Sequence, residues 1–121
     1  MKLPIFLYDD GDVSIFQSIE VAERYIESPD VLDNSYVVYD ANGMRLELIA
    51  KKSSNLKLFG IEFIKPNKVS IKERFNDDIN ENLIIILREI LTKQKVPDNI
   101  ISKASLSELV DKAVEVLGYT S

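Results

Sequence analysis

The chain contains no cysteine and no histidine. Without thiol or imidazole there is no disulfide frame, no Cys-His pair, no Ser-His-Asp triad and no ordinary zinc site. The lack of cysteine also agrees with a reducing compartment. Phosphate cradles are missing, since neither G-x-x-x-x-G-K-[ST] nor G-x-G-x-x-G occurs. The longest apolar run is LIIIL at 83–87, far short of the roughly 18 residues of a membrane span. The opening MKLPIFLYDDGD has one lysine and a very short apolar patch before acid begins, which is not the pattern of a signal peptide. These absences predict a cytoplasmic chain with no metal and no cofactor. The chemistry left to an enzyme is that of carboxylates, such as Asp9 or Asp12 with Glu62 or Glu73, or of a lysine nucleophile. Paired carboxylates need set separations and shifted pKa values that spacing along a chain does not supply. The expectation is a protein that is not an enzyme.

What is present is ordinary in kind and uneven in charge. A length of 121 residues, 45% hydrophobic and 29% charged, with four glycines and four prolines, predicts one globular domain over 1–121. Residues 1–44 hold nine acids against Lys2 and Arg24, a net −7. Residues 45–74 hold three acids against eight bases, a net +5, and residues 75–121 carry −3. Such segregation steers partners more than it shapes folds. A net charge of −5 makes direct nucleic-acid binding an unexpected role, although Lys51, Lys52, Lys57, Lys65, Lys68 and Lys72 form a basic stretch. The plainer role of these lysines is to protect strand edges.

Local signals punctuate the chain. IFLY at 5–8 and DVSIF at 12–16 flank Asp9-Asp10-Gly11, a hairpin signal because Asp-Gly accepts positive φ. A calcium loop would alternate its oxygens and close on a glutamate about six residues past the glycine. Here Asp9 and Asp10 are adjacent and position 17 is Gln17, so DDGD reads as a turn. Ser18 is placed to cap a helix over IEVAERYIE that stops by Ser28, ahead of Pro29. Glu20, Glu23 and Glu27 stand at i, i+3 and i+7, which would line one exposed face. SYVVYD at 35–40 and MRLELIAKK at 44–52 turn at Asn42-Gly43, and LKLFGIEFI at 56–64 reads as one strand with a bulge at Gly60. VSIKERF at 69–75 completes an antiparallel meander.

The last third changes period. Asp78 with Glu81 opens a helix to Lys93, with Ile79, Leu83, Ile86, Leu87, Ile90 and Leu91 on one stripe. Ile84 and Ile85 fall off that stripe, which predicts a helix covered on more than one side. A five-residue strand at LIIIL is the competing reading. Val96-Pro97-Asp98-Asn99 breaks the helix. Ser105 with Glu108 is a capping box for a last helix ending at Gly118. The fold class is therefore α+β: an antiparallel sheet of about five to six strands, one N-terminal helix and two C-terminal helices.

Phe16, Ser18, Glu20, Ala22, Glu23, Tyr25, Ile26, Glu27, Asp30, Val31, Tyr36, Val37, Tyr39, Asp40 and Gly43 make a pattern over about residues 3–50. It resembles a module of bacterial immunity proteins from polymorphic and contact-dependent growth inhibition toxin systems. Gln17 stands where that module would carry an acidic or small polar residue, and residues 51–121 carry no such mark. The resemblance implies a cytoplasmic inhibitor that binds one cognate toxin C-terminal domain, many of which are basic nucleases, and blocks its active or substrate-binding site. Asp9, Asp10, Asp12, Glu20, Glu23 and Glu27 are the candidate partner-binding residues, because carboxylates neutralise a phosphate-binding cleft. Two other readings stand beside it. One is a non-catalytic adaptor domain of a larger assembly; the other has the basic 45–74 segment face an acidic partner.

Overall fold

The turn chemistry sets the frame. In the computed structural model, which describes residues 1–26, 36–51, 55–58, 61–64, 68–73 and 82–120, β1 (Ile5–Asp9) and β2 (Asp12–Phe16) pair antiparallel with Asp9 opposite Asp12. Asp10 and Gly11 take φ of 47° and 90°, the positive pair that lets a two-residue loop follow the twist of its strands. β3 (Val37–Tyr39) and β4 (Arg45–Lys51) are joined through Asp40–Met44. There the Gly43 N–H donates to Asp40 O at 3.1 Å and Gly43 has φ 81°, so a four-residue turn ends in a left-handed glycine. Asp40, only 2% exposed, anchors this corner. Its carboxylate accepts the N–H groups of Asn42 at 2.9 Å, Met44 at 3.0 Å and Lys2 at 3.2 Å. The last of these ties the segment before β1 to the β3–β4 turn.

The main sheet is antiparallel with strand order β2-β1-β3-β4-β7, where β7 is Lys68–Glu73. The stretch expected as one bulged strand is instead a separate hairpin, β5 (Asn55–Leu58) with β6 (Ile61–Ile64), in which Leu58 faces Ile61. The apolar phase changes between Leu58 and Ile61 because the chain reverses there, and reversal resets the alternation as a bulge would. The expected meander is interrupted accordingly: β4 pairs with β7 across this inserted hairpin. Gly60 itself lies outside the described residues.

Helices cover both faces of the sheet. Consecutive residues of β1 divide between two clusters, Ile5 and Leu7 on one side and Phe6 on the other, as a two-residue period requires. The first side joins Phe16, Val38, Leu46, Val69 and Ile71 to Ala22 and Ile26 of the α1 segment. Helix α1 (Ile19–Tyr25) is capped by Ser18, whose Oγ accepts the Val21 N–H at 3.2 Å. Tyr25 sets its ring 5.1 Å from that of Phe16. The helix ends sooner than Pro29 demands, with Ile26 already extended at the C-cap; Ser28 and Pro29 lie outside the described residues.

The second side joins Phe6, Ile15 and Tyr39 to the C-terminal helices. LIIIL is helical, within α2 (Asn82–Lys93), and Leu83, Leu87 and Leu91 are wholly buried at i, i+4 and i+8. The expected enclosure of this helix does not hold, for Ile85 is 59% exposed. Successive residues step about 100° round a helix, so three isoleucines in a row cannot share one buried face. Ile84 and Ile86 are partly buried at its margins. The Asp78–Glu81 cap lies outside the described residues.

α2 ends on Lys95 at φ 63°. The Val96 N–H reaches Leu91 O at 3.1 Å and the Lys95 N–H reaches Thr92 O at 3.0 Å, the paired closure of a Schellman motif. An extra four-residue helix, α3 (Asp98–Ile101), follows Pro97 where only a break was expected. α4 (Leu106–Leu117) begins with the reciprocal Ser105–Glu108 box, with N–H donors at 3.3 and 3.2 Å, and ends at Gly118 with φ 72°. Beyond it, the Thr120 N–H donates to Ile15 O at 2.7 Å, which lays the chain along the outer edge of β2. Among the described residues no helix is long and apolar enough to cross a membrane.

Candidate functional site

The β1–β2 turn carries Asp9, Asp10 and Asp12 within four residues, Asp9 half-buried and the other two exposed. Glycine at position 11 is required by its φ of 90°, and a Cβ there would meet Lys93 Nζ at 3.6 Å. Lys93, at the end of α2, therefore lies over the turn, and it pairs with Glu89 at 3.9 Å. Among the described residues no cation is within ion-pair distance of Asp9, Asp10 or Asp12. Three carboxylates held at a hairpin tip make a concentrated negative projection, and the backbone that holds them is stiffened by strand pairing on both sides.

The six candidate acids do not form one surface. Glu20 is exposed in the first turn of α1, which begins beyond Phe16, at the far end of β2 from the hairpin tip. Four residue steps of strand separate Asp12 from Phe16, roughly 13 Å at about 3.3 Å per residue. Glu23 is half-buried, and its Oε2 accepts the Ile71 N–H at 2.9 Å. Among the described residues β7 ends the sheet beside β4, so Glu23 satisfies an edge donor, and α1 reaches from β2 to the opposite edge. A carboxylate already accepting that bond is a structural group, which corrects its expected place on an exposed binding face. Glu27 lies outside the described residues, and α1 has ended before it, so the i, i+3, i+7 stripe breaks off after Glu23.

The same spacing is realised on α4. Glu108, Asp111 and Glu115 stand at i, i+3 and i+7, all exposed, and the pattern is legible in SELVDKAVE. Net charge by thirds does not signal it, because the block lies outside the most acidic third of the chain. Near Asp40, a hollow of about 300 Å³ is bounded by Met1, Asn42, Arg45 and Glu73. The Met1 amino group pairs with the Glu73 carboxylate there. That contact raises the pKa of the amine above 8.0 chiefly through the Glu73 hydrogen bond, with desolvation opposing it. Asp40 has its three backbone donors and organises the corner. Among the described residues no three Asp, Glu, His or Cys side chains converge in a way that could hold a metal ion.

The chain matches no protein-family model, no characterised protein and no solved structure.

Proposed function

We propose that this protein is a cytoplasmic immunity protein that binds a basic toxin domain and blocks its substrate-binding cleft without catalysis. The observation that carries the reading is the hairpin tip, where Asp9, Asp10 and Asp12 project with no cation of the described residues paired to them. The resemblance of residues 3–50 to immunity modules supports it. A rigid tip loses little conformational freedom on binding, so its charge goes into attraction rather than ordering. Tip carboxylates at the rim of a contact speed association and make it salt-sensitive; one buried against a toxin Arg or Lys contributes to the slow off-rate. Glu20 adds a separate negative charge at the other end of β2, and Glu23 acts through the fold.

The test is co-purification with the product of the adjacent upstream gene, followed by a salt series on the complex. The triple variant Asp9→Asn/Asp10→Asn/Asp12→Asn is compared with Arg45→Gln/Lys72→Gln, both of whose cations are exposed on the basic strands. The expected result is a slower on-rate and a flatter salt dependence for the aspartate variant alone. The opposite pattern refutes the acidic tip and turns the contact to the basic strands. Binding that leaves the toxin fully active refutes inhibition and supports the adaptor.

A further inference from the structure

Between the C-terminal helices lies a groove of about 270 Å³. Its floor is made by Leu91 of α2, Ile101 of α3 and Leu109 of α4, all buried. Ala104, in the short link from α3 to α4, presents the smallest side chain of the lining and leaves the hollow open. Ile100 stands on the margin, 45% exposed, an apolar surface with water over it. The opposite margin is the acidic stripe of α4.

The charges on that margin are unequal in their freedom. Glu108 is engaged with the Ser105 N–H and hydroxyl at 3.2 and 3.0 Å. Among the described residues Lys112 is the one cation of the lining, and it reaches Glu115 at 3.5 Å. Asp111 has no cation within ion-pair distance among the described residues. An uncharged apolar partner covering this groove would strip water from Asp111 and Glu115 without replacing it, which is costly. An acidic partner would be repelled. A partner that brings its own cations beside an apolar group meets both demands, and the hollow falls just below the roughly 300–1,000 Å³ of small-molecule pockets, room for one or two side chains.

We propose that this groove is a docking site for a basic amphipathic protein segment, which inserts a large apolar side chain against Ile100 and Ala104, above the buried floor, and sets lysine or arginine against Asp111 and Glu115. This is the helix-in-groove mode of recognition, with apolar anchors one turn apart. The site is distinct from the β1–β2 tip and does not rest on the toxin reading.

The experiment titrates the full chain, labelled for NMR, with a synthetic helical peptide carrying two leucines one turn apart among arginines. One control peptide has glutamate for arginine, another alanine for leucine. The expected result is movement of the Ile100, Ala104, Leu109 and Asp111 amides with the first peptide only. Asp111→Asn/Glu115→Gln should weaken binding about three- to tenfold, the range for two exposed ion pairs. Ala104→Leu, which fills the hollow, should weaken it by at least as much, and Ile100→Asp serves the same purpose if the leucine disturbs folding by circular dichroism. The proposal is overturned if the groove amides stay still, if the glutamate peptide binds equally well, or if the peptide moves only the Asp9–Asp12 amides. None of these outcomes touches the salt-series test of the tip.

Discussion

Replacing Glu23 with alanine separates a structural carboxylate from a binding one. Its Oε2 is the acceptor for the Ile71 N–H at 2.9 Å, and Ile71 is buried, so water replaces the lost partner poorly. A hydrogen bond to a charged acceptor contributes roughly 1.5–3 kcal/mol. Glu23 is only half-buried, and solvent screening brings the expected loss for Glu23→Ala to about 1–2 kcal/mol. Glu23→Gln keeps an oxygen acceptor and loses the charge, so about half that loss is expected. Glu20→Ala, at an exposed site on the same helix, should stay within about 0.5 kcal/mol. Urea unfolding measures the three stabilities, and hydrogen exchange at the Ile71 amide reports the bond itself. In Glu23→Ala that amide should exchange faster and the midpoint should fall, while Glu20→Ala leaves both unchanged. If Glu23→Ala unfolds at the parent midpoint with Ile71 exchange unaltered, the edge-capping role is refuted and Glu23 returns to the pool of free surface acids.

Leu87→Ala should cost about 2–5 kcal/mol because the side chain is wholly buried, whereas Ile85→Ala should change stability by less than about half a kcal/mol; equal losses in urea unfolding would place α2 differently in the fold. The Met1 amine, with its pKa raised by Glu73, contributes stability that is fully present below its unfolded value of 8.0 and is lost as pH rises through its higher folded value. Thermal unfolding of the parent should therefore fall more steeply from pH 8 upward than that of Glu73→Gln, and parallel curves would show that the pairing adds nothing in solution.

Much of the local structure was legible because its causes lie within a few residues. Asp10-Gly11 needs positive φ and obtains it; Ser18 and Ser105 each face an orphan helix N–H three residues on; Gly118 closes α4. The sequence at 56–64 does not distinguish one bulged strand from a hairpin, because a bulge and a reversal leave the same shift of apolar phase, and only pairing partners tell them apart. The acidic stripe assigned to α1 failed for a related reason. Helical spacing says which residues align if a helix continues, and Ile26 had already left it.

Composition and short-range chemistry determined by themselves the α+β class, the turns of the β1–β2 and β3–β4 hairpins, the capped helices and the absence of thiol and imidazole chemistry. Tertiary structure alone decided that β4 would pair with β7 across the inserted hairpin, that helices would cover both faces of the sheet, and that Glu23 would serve Ile71, 48 residues away. It also decided that Asp40 would collect the Lys2 N–H and that a hollow would open beside Ala104. The physical reason is the reach of the forces involved. Turn and cap preferences act over three or four residues and are written at fixed spacing, whereas burial and edge pairing are satisfied by any complementary partner that the folded chain brings near.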